Sequence, residues 1–302
     1  MKTWTGILLV VVSAAGFGTL AIFGRYAYAD GLDALTILFL RFSASAIIMG
    51  LMLAARRERL PRGGALLRLL GMGAIGYVGQ AFSYFTALKY ASPGLVALLL
   101  YLYPVFVAIL SALWLRESVS RVKVLALVLA VAGTALTAGP EGGQLLGVVF
   151  ALSAAVIYTV YIIVGSQVMK QVSAVQSSTV IFAAAGVSSG LLMSWNGPHW
   201  PATTTGWVVI AAMVAFATWL PAFAFLAGME RIGPTNAAML STLEPVVTIL
   251  LAASLLGETL KPISLLGGAL ILAAVLLVTG SELRRSDLRG QKTTAEQSQE
   301  GS

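Results

Sequence analysis

Cysteine is absent from the 302 residues, histidine occurs once, and only 12 residues are acidic. Without cysteine neither a disulfide nor a thiolate metal site can form, and one histidine among scattered carboxylates offers no ligand set for a metal. No metal and no cofactor are therefore expected. Charge of either sign is scarce, with 10% of residues charged against 58% hydrophobic and a mean hydropathy of +0.91. That balance excludes a water-soluble globule and leaves a polytopic membrane protein. Long polar stretches are missing as well, so no soluble domain is inserted, and the connections between apolar runs are short.

What is present is a series of apolar runs. A helix needs roughly 20 apolar residues to cross the hydrocarbon core. Ten such stretches are read near 4–26, 34–54, 66–88, 93–115, 121–139, 145–167, 174–195, 206–228, 234–256 and 262–280. The first resembles a signal sequence after Lys2, but its length and the lack of a small-residue cleavage site predict a retained helix. The polar residues from 281 to 302 show no periodicity and are expected to be a disordered cytoplasmic tail.

The chain also repeats. At an offset of 141 residues Lys89-Tyr90-Ala91-Ser92-Pro93 matches Glu230-Arg231-Ile232-Gly233-Pro234, Pro104 matches Pro245, Glu117 matches Glu258, and Met72, Ala81 and Phe82 recur as Met213, Ala222 and Phe223. Two related units with an odd number of spans each must sit upside down to one another, an arrangement associated with alternating-access carriers. The expected fold is all-α: ten transmembrane helices as two inverted five-helix repeats, residues 1–139 and 140–280, around a central cavity.

The net charge of +7 invites a nucleic-acid reading, but the basic residues are sorted by side of the membrane. With the N-terminus in the cytoplasm, 15 Lys and Arg fall inside and three (Arg25, Lys89, Lys261) outside, with Arg41 within a span. This satisfies the positive-inside rule, predicts both termini cytoplasmic and removes the case for nucleic acid.

Proline and polar residues at mid-span mark the interior. Pro93 and Pro234 stand where spans begin and suit a first helical turn. Pro104 and Pro245 lie mid-span, where each should kink its helix and free the carbonyl four residues back, on Leu100 and Ser241, and Pro221 acts likewise in the eighth span. In hydrocarbon a freed carbonyl needs a partner, so these positions should face protein or a wet cavity, with Pro104 and Pro245 as hinges.

Two ionisable residues, Arg41 and Glu244, lie away from span ends, where a charge costs roughly 2.5 to 3.5 kcal/mol on insertion scales. For Arg41 structural pairing is the stronger reading. Glu244 either meets a substrate amine, takes a proton, or hydrogen-bonds the kinked backbone or Arg41; its repeat counterpart is Tyr103. Tyr77, Gln80 and Tyr84 share a face of the third span, Tyr158 and Tyr161 one of the sixth, Tyr101 and Tyr103 bracket the fourth, and Trp219 lies mid-way along the eighth with Phe216 and Phe223 on its stripe. Buried hydroxyl and amide groups find no partner in lipid, so these faces should look onto a pocket with an amphipathic aromatic wall. Trp4, Trp114, Trp195, Trp200 and Trp207 fall near span ends, as an interfacial belt requires.

Two motifs are refused. Gly71-Met72-Gly73-Ala74-Ile75-Gly76 spells a dinucleotide fingerprint inside an apolar run, where close helix packing explains it. Gly186-Val187-Ser188-Ser189-Gly190 spells a nucleophile elbow mid-span, with His199 as the only histidine, so an enzyme is not expected.

The duplicated set of Glu244-Pro245, Leu256-Gly257-Glu258 and Gly267-Gly268, with its echo Tyr103-Pro104 and Glu117, resembles the EamA-type transporters of the drug/metabolite transporter superfamily. The resemblance spans nearly all of residues 4–280, and the overall pattern is similar to the bacterial aromatic amino acid exporters of that superfamily. It implies a bacterial inner-membrane carrier with a basket-like bundle, exporting amino acids or related small metabolites. The expected partners are a small-molecule substrate and the lipid bilayer, with a monomer sufficient for the pathway. The rivals are efflux of lipophilic cations, which a midplane carboxylate would favour, and a non-transporting scaffold or lipid-flippase subunit, for which small-residue packing faces would suffice.

Overall fold

A computed structural model describes residues 2–114, 121–138, 144–168, 171–241, 243–263, 265–277 and 280–281. Among them every regular element is a helix. The order is α1 (Lys2–Gly18), α2 (Leu20–Ala29), α3 (Ala34–Ala55), α4 (Gly63–Gly71), a π-helical turn (Met72–Tyr77), α5 (Val78–Tyr90), α6 (Pro93–Leu100), α7 (Tyr103–Trp114), α8 (Arg121–Ala138) and α9 (Gln144–Val168). After these come α10 (Ala174–Asn196), α11 (Thr204–Val214), a second π-helical turn (Ala215–Trp219), α12 (Leu220–Ser241), α13 (Leu243–Leu256) and the apolar helix α14 (Leu265–Leu277).

Six helical runs, Trp4–Ala29, Ala34–Ala55, Gly63–Tyr90, Leu145–Gly165, Ala174–Trp195 and Thr204–Phe225, are long and apolar enough to cross a membrane, and four shorter apolar helices accompany them. Six of the ten stretches read from the sequence overlap the long helices, and the other four overlap the shorter ones. The outward side chains are those a hydrocarbon solvent selects: Leu8, Ile47, Leu51, Leu67, Ile75, Val187 and Leu191 are all exposed. Trp4, Trp195, Trp200 and Trp207 are exposed near helix ends, as expected of an interfacial belt. The tail, from residue 282, and Glu117 lie outside the described residues.

Local chemistry sets the helix starts. Asp33 accepts from the Thr36 amide at 2.9 Å to open α3, Ser92 accepts from the Leu95 amide at 3.3 Å with Pro93 in the first turn of α6, and Ser173 and Gln176 form a capping box on α10. Glu258 accepts the backbone N–H of Gly94 beside Arg25, which places its carboxylate at the N-terminus of α6. Burial nonetheless pushes the Glu258 carboxyl above the ordinary carboxylate range.

Packing is reciprocal between the halves. Helix α1 lies against α12, α5 lies against α9, and α3 lies against α10. A shift by the repeat offset exchanges the first two pairs and maps the third onto itself. Helices α1 and α12 run antiparallel, because the Cα of Gly16 abuts Pro221 while Gly228 abuts Val10 and the Gly6 carbonyl. Farther on, Thr248 donates to the Gly18 carbonyl at 2.9 Å and Tyr26 reaches the Leu255 carbonyl at 3.5 Å, so α13 runs alongside α1 and α2 in the same sense. Pro234, expected to open a span, lies instead within the range of α12.

The refused glycine motifs are packing surfaces. A Cβ on Gly186 would stand 2.9 Å from the Ser43 hydroxyl and 3.2 Å from the Ser43 nitrogen, and one on Gly73 would collide with the Ile181 carbonyl. Neither backbone has room for a side chain, and neither opens onto a ligand.

Candidate functional site

In the first half the mid-span proline stands just after a helix break. Helix α6 ends at Leu100, Tyr101 and Leu102 form a turn, and α7 resumes with Pro104 as its second residue. In the second half Pro245 follows Leu243 and Glu244 at the start of the range given for α13, and residue 242 lies outside the described residues. The sequence predicts a kink at Pro104; the structure has an interruption there. The missing proline N–H cannot close the ladder onto the carbonyl four residues back, and a polar neighbour replaces it. Tyr101 Oη donates to the Ser241 carbonyl at 2.5 Å and lies 2.8 Å from Glu244 Oε2. The carbonyl freed by Pro245 in one half is thus met by a tyrosine at the break of the other.

That tyrosine is one end of a ladder of rings. Tyr101 meets Tyr103 edge-on at 5.9 Å, Tyr103 meets Tyr158 at 4.8 Å, Tyr158 stacks on Tyr161 at 5.9 Å, and Tyr161 stacks on Tyr77 at 5.8 Å. Beyond Tyr77 the rings of Phe42 and Phe182 continue it, at 4.8 and 5.9 Å. Six of the nine residues named from the sequence, Tyr77, Tyr101, Tyr103, Tyr158, Tyr161 and Glu244, therefore form one contiguous line across three helices, the turn between α6 and α7, and a π turn. Tyr103, Tyr158, Tyr161, Tyr77 and Glu244 are half-buried, while Tyr101 is buried.

The other three stand beside it. Gln80 and Tyr84 are buried one turn apart on α5, and Tyr84 lies edge-on to Phe85 at 5.7 Å and within electrostatic reach of both Glu244 and Arg41. Trp219 is half-buried against the core, stacks on Phe223 at 6.4 Å, and has a buried indole Nε1 with no hydrogen-bond partner among the described residues. Its expected stripe does not all face inward: Phe216 is 56% and Phe223 38% exposed. The π turn at Ala215–Trp219 adds a residue to the local repeat and rotates Trp219 relative to Phe216, which an α-helical spacing cannot anticipate.

Arg41 has a partner that sequence reasoning missed. Its Nε donates to Thr218 Oγ1 at 2.7 Å, and that hydroxyl donates to the Met213 carbonyl at 3.0 Å, five residues back, inside the widened turn. Thr218 is one repeat away from Tyr77, so the offset itself held the signal. Both π turns fall at repeat-related positions, 72–77 and 215–219.

The sequence matches the EamA-like transporter family twice, over residues 4–139 and 145–280. The chain belongs to the EamA-like transporter family. Similar proteins include an uncharacterized transporter of Archaeoglobus fulgidus, 29% identical over 90% of this chain and 95% of the relative, and the uncharacterized transporter YcbK of Bacillus subtilis, 25% identical over 93% of each. An aromatic amino acid exporter of Ancylobacter novellus is 27% identical over 69% of this chain and 72% of its own. A crystal structure with 22% identity covers 92% of this chain and 98% of that one at a TM-score of 0.64, and shares the fold. This EamA-family chain is a membrane transporter and not an enzyme; the nucleophile-elbow motif packs against α3, and His199 sits with Asp33 and Thr36 beyond the helix ends.

Proposed function

We propose that this protein exports amino acids, aromatic or otherwise neutral, and related small metabolites across the bacterial inner membrane by alternating access. The ring ladder carries this reading: it passes through the helix break before Pro104 and ends on the single mid-span carboxylate, Glu244. Rings supply stacking and cation–π surfaces for an apolar amine-bearing cargo, and Glu244 takes its ammonium group or a coupled proton. Tyr77, Gln80, Tyr84, Tyr101, Tyr103, Tyr158, Tyr161, Trp219 and Glu244 line the pathway, and Pro104 and Pro245 are its hinges. The name of the Ancylobacter novellus relative accords with such a cargo.

In this reading residues 1–139 and 140–280 are inverted five-helix repeats around a central cavity, with both termini cytoplasmic. Reciprocal packing of α1 on α12 and α9 on α5 supports the symmetry. The single chain suffices as the working unit.

The test is flux of radiolabelled phenylalanine, tryptophan and leucine into proteoliposomes, with and without a proton gradient. Glu244→Gln and Trp219→Ala are expected to lower the rate at least about tenfold, equivalent to ~1.4 kcal/mol of barrier, with melting temperature in detergent preserved. Wild-type rates from both variants, or transport of a cationic dye in preference to amino acids, overturn the reading.

A further inference from the structure

Repeat symmetry offers a comparison that isolates one residue. Arg41 and Thr218 are related by the 141-residue offset to Phe182 and Tyr77. At one of the two symmetric points where the halves meet, the contact is between two rings, 5.9 Å apart. At the other it is a guanidinium held by a hydroxyl. The same geometric position is thus apolar on one side of the pathway and cationic on the other.

The cation has one hydrogen bond and one ring neighbour. Among the described residues, Arg41 makes a single hydrogen bond, through Nε, lies with its guanidinium carbon 5.3 Å from the centroid of the Phe42 ring, and makes no ion pair, although it is 3% exposed. Anchoring through Nε fixes the plane of the guanidinium and leaves its two terminal amino groups uncommitted, parallel donors spaced for a carboxylate. Two further donors near it are idle. Ser45, one turn along α3 on the same face, is fully buried with an unpartnered hydroxyl, and Trp219, next to the anchoring Thr218, has an unpartnered indole N–H. Glu244 does not neutralise Arg41 by direct pairing; the two act on one another at longer range, and Tyr84 lies in the field of both.

We infer that the Arg41 guanidinium, fixed by Thr218 in the π turn, is the carboxylate anchor of the substrate site, so that the cargo is a zwitterion held between Arg41 and Glu244 with its side chain on the tyrosine ladder. This rests on the transport reading above and sharpens it, because a lipophilic cation has no group for Arg41 to bind. The idle donors and the asymmetry between Arg41–Thr218 and Phe182–Tyr77 then have one explanation: one pole reads the carboxylate and the other the apolar side chain.

The experiment compares three probes on purified protein, by binding in nanodiscs and flux in proteoliposomes: phenylalanine, phenethylamine, which lacks the carboxylate, and phenylacetate, which lacks the amine. Arg41→Gln is expected to weaken phenylalanine and phenylacetate by about 30-fold or more while phenethylamine changes by less than about threefold. Arg41→Lys, which keeps charge but not the planar fork, falls between. Thr218→Val keeps the guanidinium and releases its anchor; it shifts the probes in the same order by a smaller factor and serves if Arg41→Gln does not fold. Equal loss for all three probes, or no loss, makes Arg41 structural and overturns the inference. A wild-type protein that takes phenylacetate but no amino acid overturns the amino acid reading and leaves the anchor standing; one that takes neither overturns both.

Discussion

Tyr101 has one hydroxyl proton and two acceptors within reach, the Ser241 carbonyl at 2.5 Å and Glu244 Oε2 at 2.8 Å. It serves both only if the Glu244 carboxyl carries a proton and donates to the phenol oxygen. With Glu244 ionised, the phenol proton is drawn to the carboxylate and the Tyr101 bond to the Ser241 carbonyl is given up. Proton occupancy of Glu244 is in this way tied to the backbone at Ser241. Tyr101→Phe removes both bonds of the hydroxyl, so a loss of about 1–3 kcal/mol is expected, seen as a lower melting temperature. Any dependence of flux on an imposed proton gradient should weaken with it. An unchanged melting temperature in Tyr101→Phe would show that neither bond matters. The sequence already marked Ser241 as the carbonyl that Pro245 frees; that the phenol of Tyr101, 140 residues earlier, would meet it was not legible, because only the folded packing of the halves brings the two segments together.

At the level of elements, periodicity located the helices but not their irregular turns. A 3.6-residue repeat assumes unbroken α geometry, and the two π turns break that assumption, which is why the stripe of Phe216, Trp219 and Phe223 was read as wholly inward. Identical residue spacings fit either geometry, and Pro221, just after the second π turn, is a consequence that looks the same as a kink. The mid-span prolines were legible as weak points, yet how each helix responds depends on partners for the freed groups. Those partners also make the proline segments candidates for movement. Pro245→Ala restores an N–H able to close the ladder onto Ser241. The variant is expected to melt at the same or a higher temperature and to transport more slowly, by roughly threefold to tenfold given the few kcal/mol at stake in a helix-interior proline. Undiminished flux from a stabilised Pro245→Ala protein would mean that the segment around Pro245 is a fixed feature.

Over the whole molecule, polar links tie the two halves at opposite ends of α3. At one end Asp30 accepts from the Thr203 hydroxyl at 2.5 Å and the Ala202 amide at 3.0 Å. At the other, Ser173 donates to Glu58, and Gln176 Nε2 donates to the Arg59 carbonyl at 2.7 Å. A carrier that alternates must break such links one end at a time, since both held together would seal the pathway. The absence of cysteine, the first fact visible in the chain, makes this directly testable without background thiols. In the double variant Asp30→Cys, Thr203→Cys the side chains stand within contact of each other, close enough for a disulfide to form under mild oxidation. The oxidised protein is expected to lose at least about nine-tenths of its flux, more than ~1.4 kcal/mol of added barrier, and to regain it with dithiothreitol. Full flux from the cross-linked protein would show that this end of the bundle stays shut throughout the cycle, leaving alternation between inverted halves without a second opening.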